Sequence, residues 1–253
     1  MASSRAARAD KNPQTRSVGN LGDVLKHAAL FEISSLLARS ASTVHWVDTH
    51  AFLLHAPMSD QERWDREVEA LLERSPAYAR YVAHERASIA RTGHYRCSSG
   101  LVLDMLGERR VSATLGEANG LTRAELRDQV AAERLEGVVV VDDARTALQR
   151  ATSDVGGGLL IHVDPFSLTA EVWAELAPSL DALCAGASEA VLVAYRYTRQ
   201  ARSPWPAAPK GTTGPIAETR GGPHEIAVYA SASAVQAIRG VCMKLGWLAP
   251  PRD

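Results

Sequence analysis

Four apolar runs in this chain each close on a carboxylate. "STVHWVDTHA" (42–51) carries Asp48 and His50 at its end, and "RVSATLGE" (110–117) ends in Glu117. "EGVVVVDDA" (136–144) ends in Asp142 and Asp143, and the strand "GLLIHV" (158–163) delivers Asp164. The runs show little alternation of apolar with polar residues, which indicates strands buried on both faces. That is the mark of a parallel sheet covered by helices. The intervening segments agree. Helical patterns run over 18–40, over 59–92 with a break at Pro76, from 101 to 109, over 123–134, from the end of the strand at 144 to about Thr152, and over 169–185. A strand at 189–198, a Pro-rich loop at 203–215, a late strand at 224–231 and a late helix at 232–247 complete the chain. Two helix starts carry capping-box spacing, Ser59 with Glu62 and Thr122 with Glu125. The pattern predicts an α/β fold, doubly wound around a mostly parallel, Rossmann-like sheet.

In such sheets ligands sit beyond the carboxyl ends of the strands. A single Asp after a strand is most often a cap or turn former. Four acidic ends in succession are harder to explain that way. A carboxylate closing the second strand accepts hydrogen bonds from ribose hydroxyls, and one at the third can take an adenine amino group. The series therefore points to a nucleoside-containing ligand.

Composition removes several other functions. A formal net charge of −1 gives no support to nucleic-acid binding by bulk charge. No apolar run reaches the ~18 residues of a membrane span. Cys97, Cys184 and Cys242 are scattered and odd in number. They read as free thiols of a reducing, cytoplasmic protein, with neither a disulfide frame nor zinc spacing. His27 and His50 likewise have no partners at zinc spacing, so no metal is expected. The Arg-, Ala- and Ser-rich residues 1–17 read as a disordered tail. Residues 18–253 then form the folded domain, with the charged helices of 59–92 as an insertion.

"GNLGDVLKHAAL" (19–30), "WVDTHA" (46–51), "YRCSSGLVLDML" (95–106), the acid-ended second strand and "LLIHVDP" (159–165) stand in this order. Together they resemble the J-type 23S ribosomal RNA adenine-N6 methyltransferases over most of residues 16–200. The resemblance implies a methyltransferase that uses S-adenosyl-L-methionine (SAM), on a doubly wound domain with a small helical insertion. It implies that Lys26 and His27 face the cofactor from the first helix and that Asp48 and His50 stand at the first strand end. It further implies that Ser99 touches the methionine moiety, Glu117 the ribose and Asp143 the adenine. Asp164 and Pro165 would open the catalytic motif.

Three departures bear on the acceptor. The family's Gly-x-Gly turn after the first strand is here "AFLL", with Phe52 and Leu54 at the glycine places. Side chains there crowd a cofactor unless the loop takes another path. The family's Tyr-x-His run before the first helix is "TRS". Its Asp-Pro-Pro-Tyr motif has become Asp164-Pro165-Phe166-Ser167. The Asp that accepts a hydrogen bond from the target amine is kept, and Phe166 is left as a pocket wall. The expected function is SAM-dependent methyl transfer to an amine-type acceptor that is a small molecule. The alternatives are an rRNA adenine-N6 methyltransferase with a relaxed motif, and a non-catalytic protein that binds SAM or another nucleoside.

Overall fold

The structure, a computed structural model, describes residues 18–58, 60–107, 111–151, 157–165, 168–197, 204–221 and 223–247. The tail read over 1–17, Ser59, and the Phe166–Ser167 pair lie outside the described residues. The chain begins with helix α1 (Leu21–Ser40) and strand β1 (Val44–Asp48). A short hairpin, β2 (His55–Pro57) and β3 (His94–Arg96), carries α2 (Gln61–Arg74), a 3-10 turn at Pro76–Tyr78 and α3 (Ala79–Thr92). Then come α4 (Ser98–Leu106), β4 (Val111–Gly116), α5 (Gly120–Ala132), β5 (Val138–Val141), α6 (Ala144–Arg150) and β6 (Gly158–Val163). The chain closes with α7 (Ala170–Gly186), β7 (Glu189–Tyr197), β8 (Thr213–Gly221), β9 (His224–Ala230) and α8 (Val235–Lys244).

Seven strands form one sheet in the order β5-β4-β1-β6-β7-β9-β8. The first five are parallel, and β9 runs antiparallel to both β7 and β8. This is a doubly wound, Rossmann-like architecture. Successive side chains of a strand point to opposite faces, and the core divides accordingly. Trp46, Leu160, Val191 and Val193 pack with α1, α4 and α8 on one face. Val47, Leu159, Ile161 and Leu192 pack with α6 and α7 on the other. The order reverses at β1, whose neighbours are β4 and β6, and this is the switch point beyond which the ligands of such sheets sit.

Four local features differ from the sequence expectation. Helix α2 is capped by Asp60, which accepts from the Arg63 N–H at 2.8 Å, so the cap falls one residue after Ser59. Helix α5 starts at Gly120, because Asn119 accepts from the N–H groups of Leu121 and Thr122 and draws the start ahead of Thr122. The hairpin β2–β3 forms from segments of three residues each, too short to show a period. Strand β8 contains Pro215, which pointed to a loop; it lies on the sheet's edge, where a missing N–H is tolerated.

Candidate functional site

The hub of the strand ends is Asp48. It sits in register with His162 of the neighbouring β6, and its carboxylate is fully buried. Ser98 and Ser99, at the start of α4, each donate a hydroxyl hydrogen bond to Oδ2 at 2.8 Å. Nδ1 of His162 lies 3.2 Å from Oδ1. Burial alone pushes this carboxyl up, but His162 and the two serines more than offset it and hold it at about 2. Asp48 is thus an ionised anchor that fixes α4 and β6 against β1.

The second centre is Lys26. Its helix is started by Asn20, which accepts from Gly22 and Asp23 N–H, at 2.7 Å and 3.2 Å. Gly22 lets α1 lie close to β9, since a Cβ there would stand 2.3 Å from Nδ1 of His224. One turn on, the Lys26 ammonium pairs with Asp164 at the end of β6 and with Asp23 at 3.0 Å. It also lies 5.0 Å from the ring centre of Tyr195. Burial favours the neutral amine, but Asp164 and Asp23 outweigh it and keep Lys26 charged. The next residue, His27, turns the other way. Its Nδ1 meets the Tyr95 hydroxyl at 2.8 Å, and that hydroxyl meets Tyr81 at 2.8 Å. Burial and the Lys26 charge lower His27 to about 3, so the ring is neutral. His50 is also held below its ordinary range by burial, and Thr49 Oγ1 lies 2.7 Å from its Nδ1.

The other strand ends fill out the rim. Glu117 follows β4 and is buried; its Oε1 accepts from the Asn119 N–H at 2.6 Å. Burial raises it to about 7, helped by Asp48 and opposed by the Asn119 N–H and Arg123. Asp143 follows β5 at the surface and caps α6, accepting from the Thr146 N–H at 2.6 Å. Pro165 is buried directly after Asp164, while Phe166 is outside the described residues.

The loop after β1 resolves the question raised by its missing glycines. Ala51 donates to the Gly116 carbonyl at 2.7 Å, Leu54 N–H to Gln129 Oε1 at 2.8 Å, and Cys97 N–H to the Leu54 carbonyl at 3.0 Å. Leu54 is fully buried in the core and Phe52 packs against it. The two side chains therefore contribute to the core shared with α1 and α4.

Of the sequence-predicted residues, Lys26, Asp48, Ser99 and Asp164 come together in one connected cluster. His50 and Glu117 flank it, His27 backs it through Tyr95, and Asp143 stands apart on the rim. Sequence reasoning missed Asp23, Tyr195 and, above all, His162. Cys97 is buried, and burial pushes its thiol well above the usual range, so it is no nucleophile. Among the described residues no group of His, Cys, Asp and Glu is arranged to hold a metal ion, and no helix is long and apolar enough to cross a membrane.

A solved structure shares this fold. A protein from Legionella pneumophila matches with a TM-score of 0.58 at 13% identity, over 90% of this chain and 94% of its own. A candidate methyltransferase from Escherichia coli matches with a TM-score of 0.46 at 14% identity, over 88% of each chain. An rRNA methylase from Streptococcus thermophilus matches with a TM-score of 0.39 at 8% identity, over 79% of this chain and 94% of its own. No family model matches the sequence, and no curated protein matches it either.

Proposed function

We propose that the chain is a SAM-dependent methyltransferase acting on the amine nitrogen of a small molecule. We take residues 18–253 as its methyltransferase domain and 59–92 as a helical insertion in it. The observation that carries the reading is the charge at the switch point. Asp23 and Asp164 pair with a single Lys26, Asp48 joins them through His162, and His27 is neutral. Such a cluster has more carboxylates than lysines, which favours a cationic ligand at a partly desolvated site. The sulfonium of SAM is such a cation, and the donor set suits the rest of the molecule. Glu117 retains Oε2 for ribose hydroxyls, and Asp143 stands at the third strand end for the adenine.

When bound, SAM supplies an electrophilic methyl group. The chain's residues hold the acceptor. Asp164 accepts a hydrogen bond from the amine N–H, which aims the nitrogen lone pair at the methyl position. Lys26 pairs with that carboxylate, and we assign Phe166 as the pocket wall. Methyl transfer asks little of a general base, so the rate comes from positioning. Among the described residues the rim mixes the exposed Asp142 and Asp143 with Arg123 and Arg145. That gives a polyanion no uniform field to follow and supports a small acceptor.

The test has two arms. Titration calorimetry with SAM or S-adenosylhomocysteine should give a one-to-one complex; no heat and no thermal shift at millimolar ligand would sink the reading. With methyl-tritiated SAM and a cell extract, label should enter the acid-soluble fraction. Label found only in precipitated rRNA would make this an rRNA enzyme, and binding without transfer to either would make it a non-catalytic binder.

A further inference from the structure

His162 occupies a strand that otherwise contains only Gly, Leu, Ile and Val. It is fully buried, lies 6.1 Å from the Trp46 ring in a stacked arrangement, and stands between two carboxylates. On one side is Asp48, held ionised against burial by His162 itself and by the hydroxyls of Ser98 and Ser99. An ionised carboxylate only accepts hydrogen bonds, so Nδ1 of His162 must carry the hydrogen. In the neutral ring Nε2 is then a bare lone pair. It has no hydrogen-bond partner among the described residues, and it lies 3.8 Å from Oδ2 of Asp164. A buried polar atom left without a partner is costly and rare. Here it faces the one carboxylate that the proposed reaction uses. The backbone fixes the ring as well, since Thr49 donates to the His162 carbonyl through both N–H and Oγ1, each at 3.0 Å.

We propose that His162 is a positioning residue whose Nε2 receives, through Asp164, the proton that the acceptor amine loses on methylation. The inference rests on the methyltransferase reading above. The step balances. The amine nitrogen forms a bond to the methyl carbon, and the carbon–sulfur pair returns to sulfur, leaving a neutral thioether. The nitrogen, now positive, gives a proton to the Asp164 carboxylate, which hands it to Nε2. The resulting imidazolium stands against the Asp48 carboxylate, the same orienting role that a buried Asp plays toward the histidine of a hydrolase triad. Asp164 is returned to its ionised form beside Lys26. The other titratable groups packed around the ring are His27 and Lys26 of α1 and His50 after β1. The Lys26 ammonium pairs with Oδ2 of Asp164, the same carboxylate oxygen that lies 3.8 Å from Nε2.

Two substitutions separate the functions of the two ring nitrogens. His162→Asn keeps a donor near the place of Nδ1 and leaves nothing at Nε2. His162→Gln keeps a polar group near the place of Nε2. The Asn variant should bind S-adenosylhomocysteine within about threefold of wild type by calorimetry, yet transfer label from tritiated SAM at least tenfold more slowly. The Gln variant, whose amide cannot take up a proton, should be as slow as the Asn variant while binding as well. A purely structural histidine would not split affinity from turnover, and a Gln variant as fast as wild type would reduce Nε2 to a hydrogen-bond partner and overturn the proposal. Independently of turnover, nitrogen-15 NMR of labelled histidine should show His162 as the Nδ1–H tautomer. Its Nε2 signal should move when Asp164→Asn is introduced. An Nε2–H tautomer, an Nε2 signal indifferent to Asp164→Asn, or an Asn variant as active as wild type would each overturn the proposal while leaving the methyltransferase reading intact. A wild type that binds no S-adenosylhomocysteine would remove that reading, and the proton step with it.

Discussion

Lys26 and Asp164, 138 positions apart in sequence, meet as a buried ion pair that ties the first helix to the end of the fourth parallel strand. Each side chain is close to nine-tenths enclosed. Truncating one member strands the other's charge in a poorly solvated place, which typically costs ~3–5 kcal/mol. Lys26→Met and Asp164→Asn should each lower stability to denaturant. Lys26→Met should be the more damaging, because Asp23 and Asp164 then face each other without a cation. The double variant should be more stable than the sum of the two losses requires. Urea unfolding of all four proteins gives the coupling directly, and strict additivity would show that the pair contributes nothing.

Glu117 gives the site a pH dependence near neutrality. Its carboxyl is raised to about 7, so it is half protonated there. Ribose hydroxyls donate best to the ionised form, so cofactor affinity should rise as pH climbs through that value. Between pH 6 and pH 8 the affinity for S-adenosylhomocysteine should increase by about tenfold, the factor for one ionisation centred between them. Glu117→Gln should bind more weakly and show a flat profile over this range. A wild-type profile that is already flat would place the ribose elsewhere.

Close packing behind the loop after β1 can be tested at Gly100. A Cβ on this residue of α4 would stand 2.1 Å from the Leu54 carbonyl oxygen and 2.9 Å from its carbon. Both are backbone atoms, so they cannot swing aside as a flexible side chain would. The same carbonyl accepts from the Cys97 N–H. Gly100→Ala should therefore cost ~1–3 kcal/mol or more by overpacking, despite the higher helix propensity of Ala. It should also weaken cofactor binding, because it pushes α4, with Ser98 and Ser99, away from Asp48. A variant at least as stable as wild type in thermal melts would show that the loop yields.

The sheet was legible where burial wrote an unbroken apolar run. Gly158–Val163 has the expected limits, and its end delivers Asp164 to the carboxyl edge. Asp48 and Glu117 follow the same logic. What stayed hidden had physical reasons. A lone His among Leu, Ile and Val reads as a core residue, and only the register between His162 and Asp48 shows it to be a bridge. A usable signal was its parity, two places before Asp164 and so on the same face of the strand. The antiparallel direction of β9 could not be read from its pattern, since a strand buried along nearly its whole length carries no mark of polarity. Helix starts moved because Asp60 and Asn119 compete with nearby Ser59 and Thr122 for one job. The path of Phe52 and Leu54 depended on Gln129, which lies 75 residues beyond Leu54 in the chain.

Glu85 supplies a last prediction, in the helical pair behind the site. It is fully buried on α3, where Oε1 accepts from the Arg96 N–H at 2.7 Å and Oε2 has no partner among the described residues. Burial raises its carboxyl to about 8, against the opposing pull of that N–H and the Arg96 charge. In the unfolded chain the same group titrates at about 4.3. Between these values the folded state binds the extra proton. The contribution of Glu85 is therefore most favourable below the unfolded value and is lost as pH rises through the folded one. The amide of Glu85→Gln still accepts from Arg96 but does not titrate. The variant and wild type should melt close together at pH 5 and diverge by pH 9. There the variant should be the more stable by at least about 1.4 kcal/mol, a tenfold change in the folding equilibrium. Parallel stability curves across that range would mean that water or a small rearrangement already solvates the Glu85 carboxylate, and that the proton is not held there.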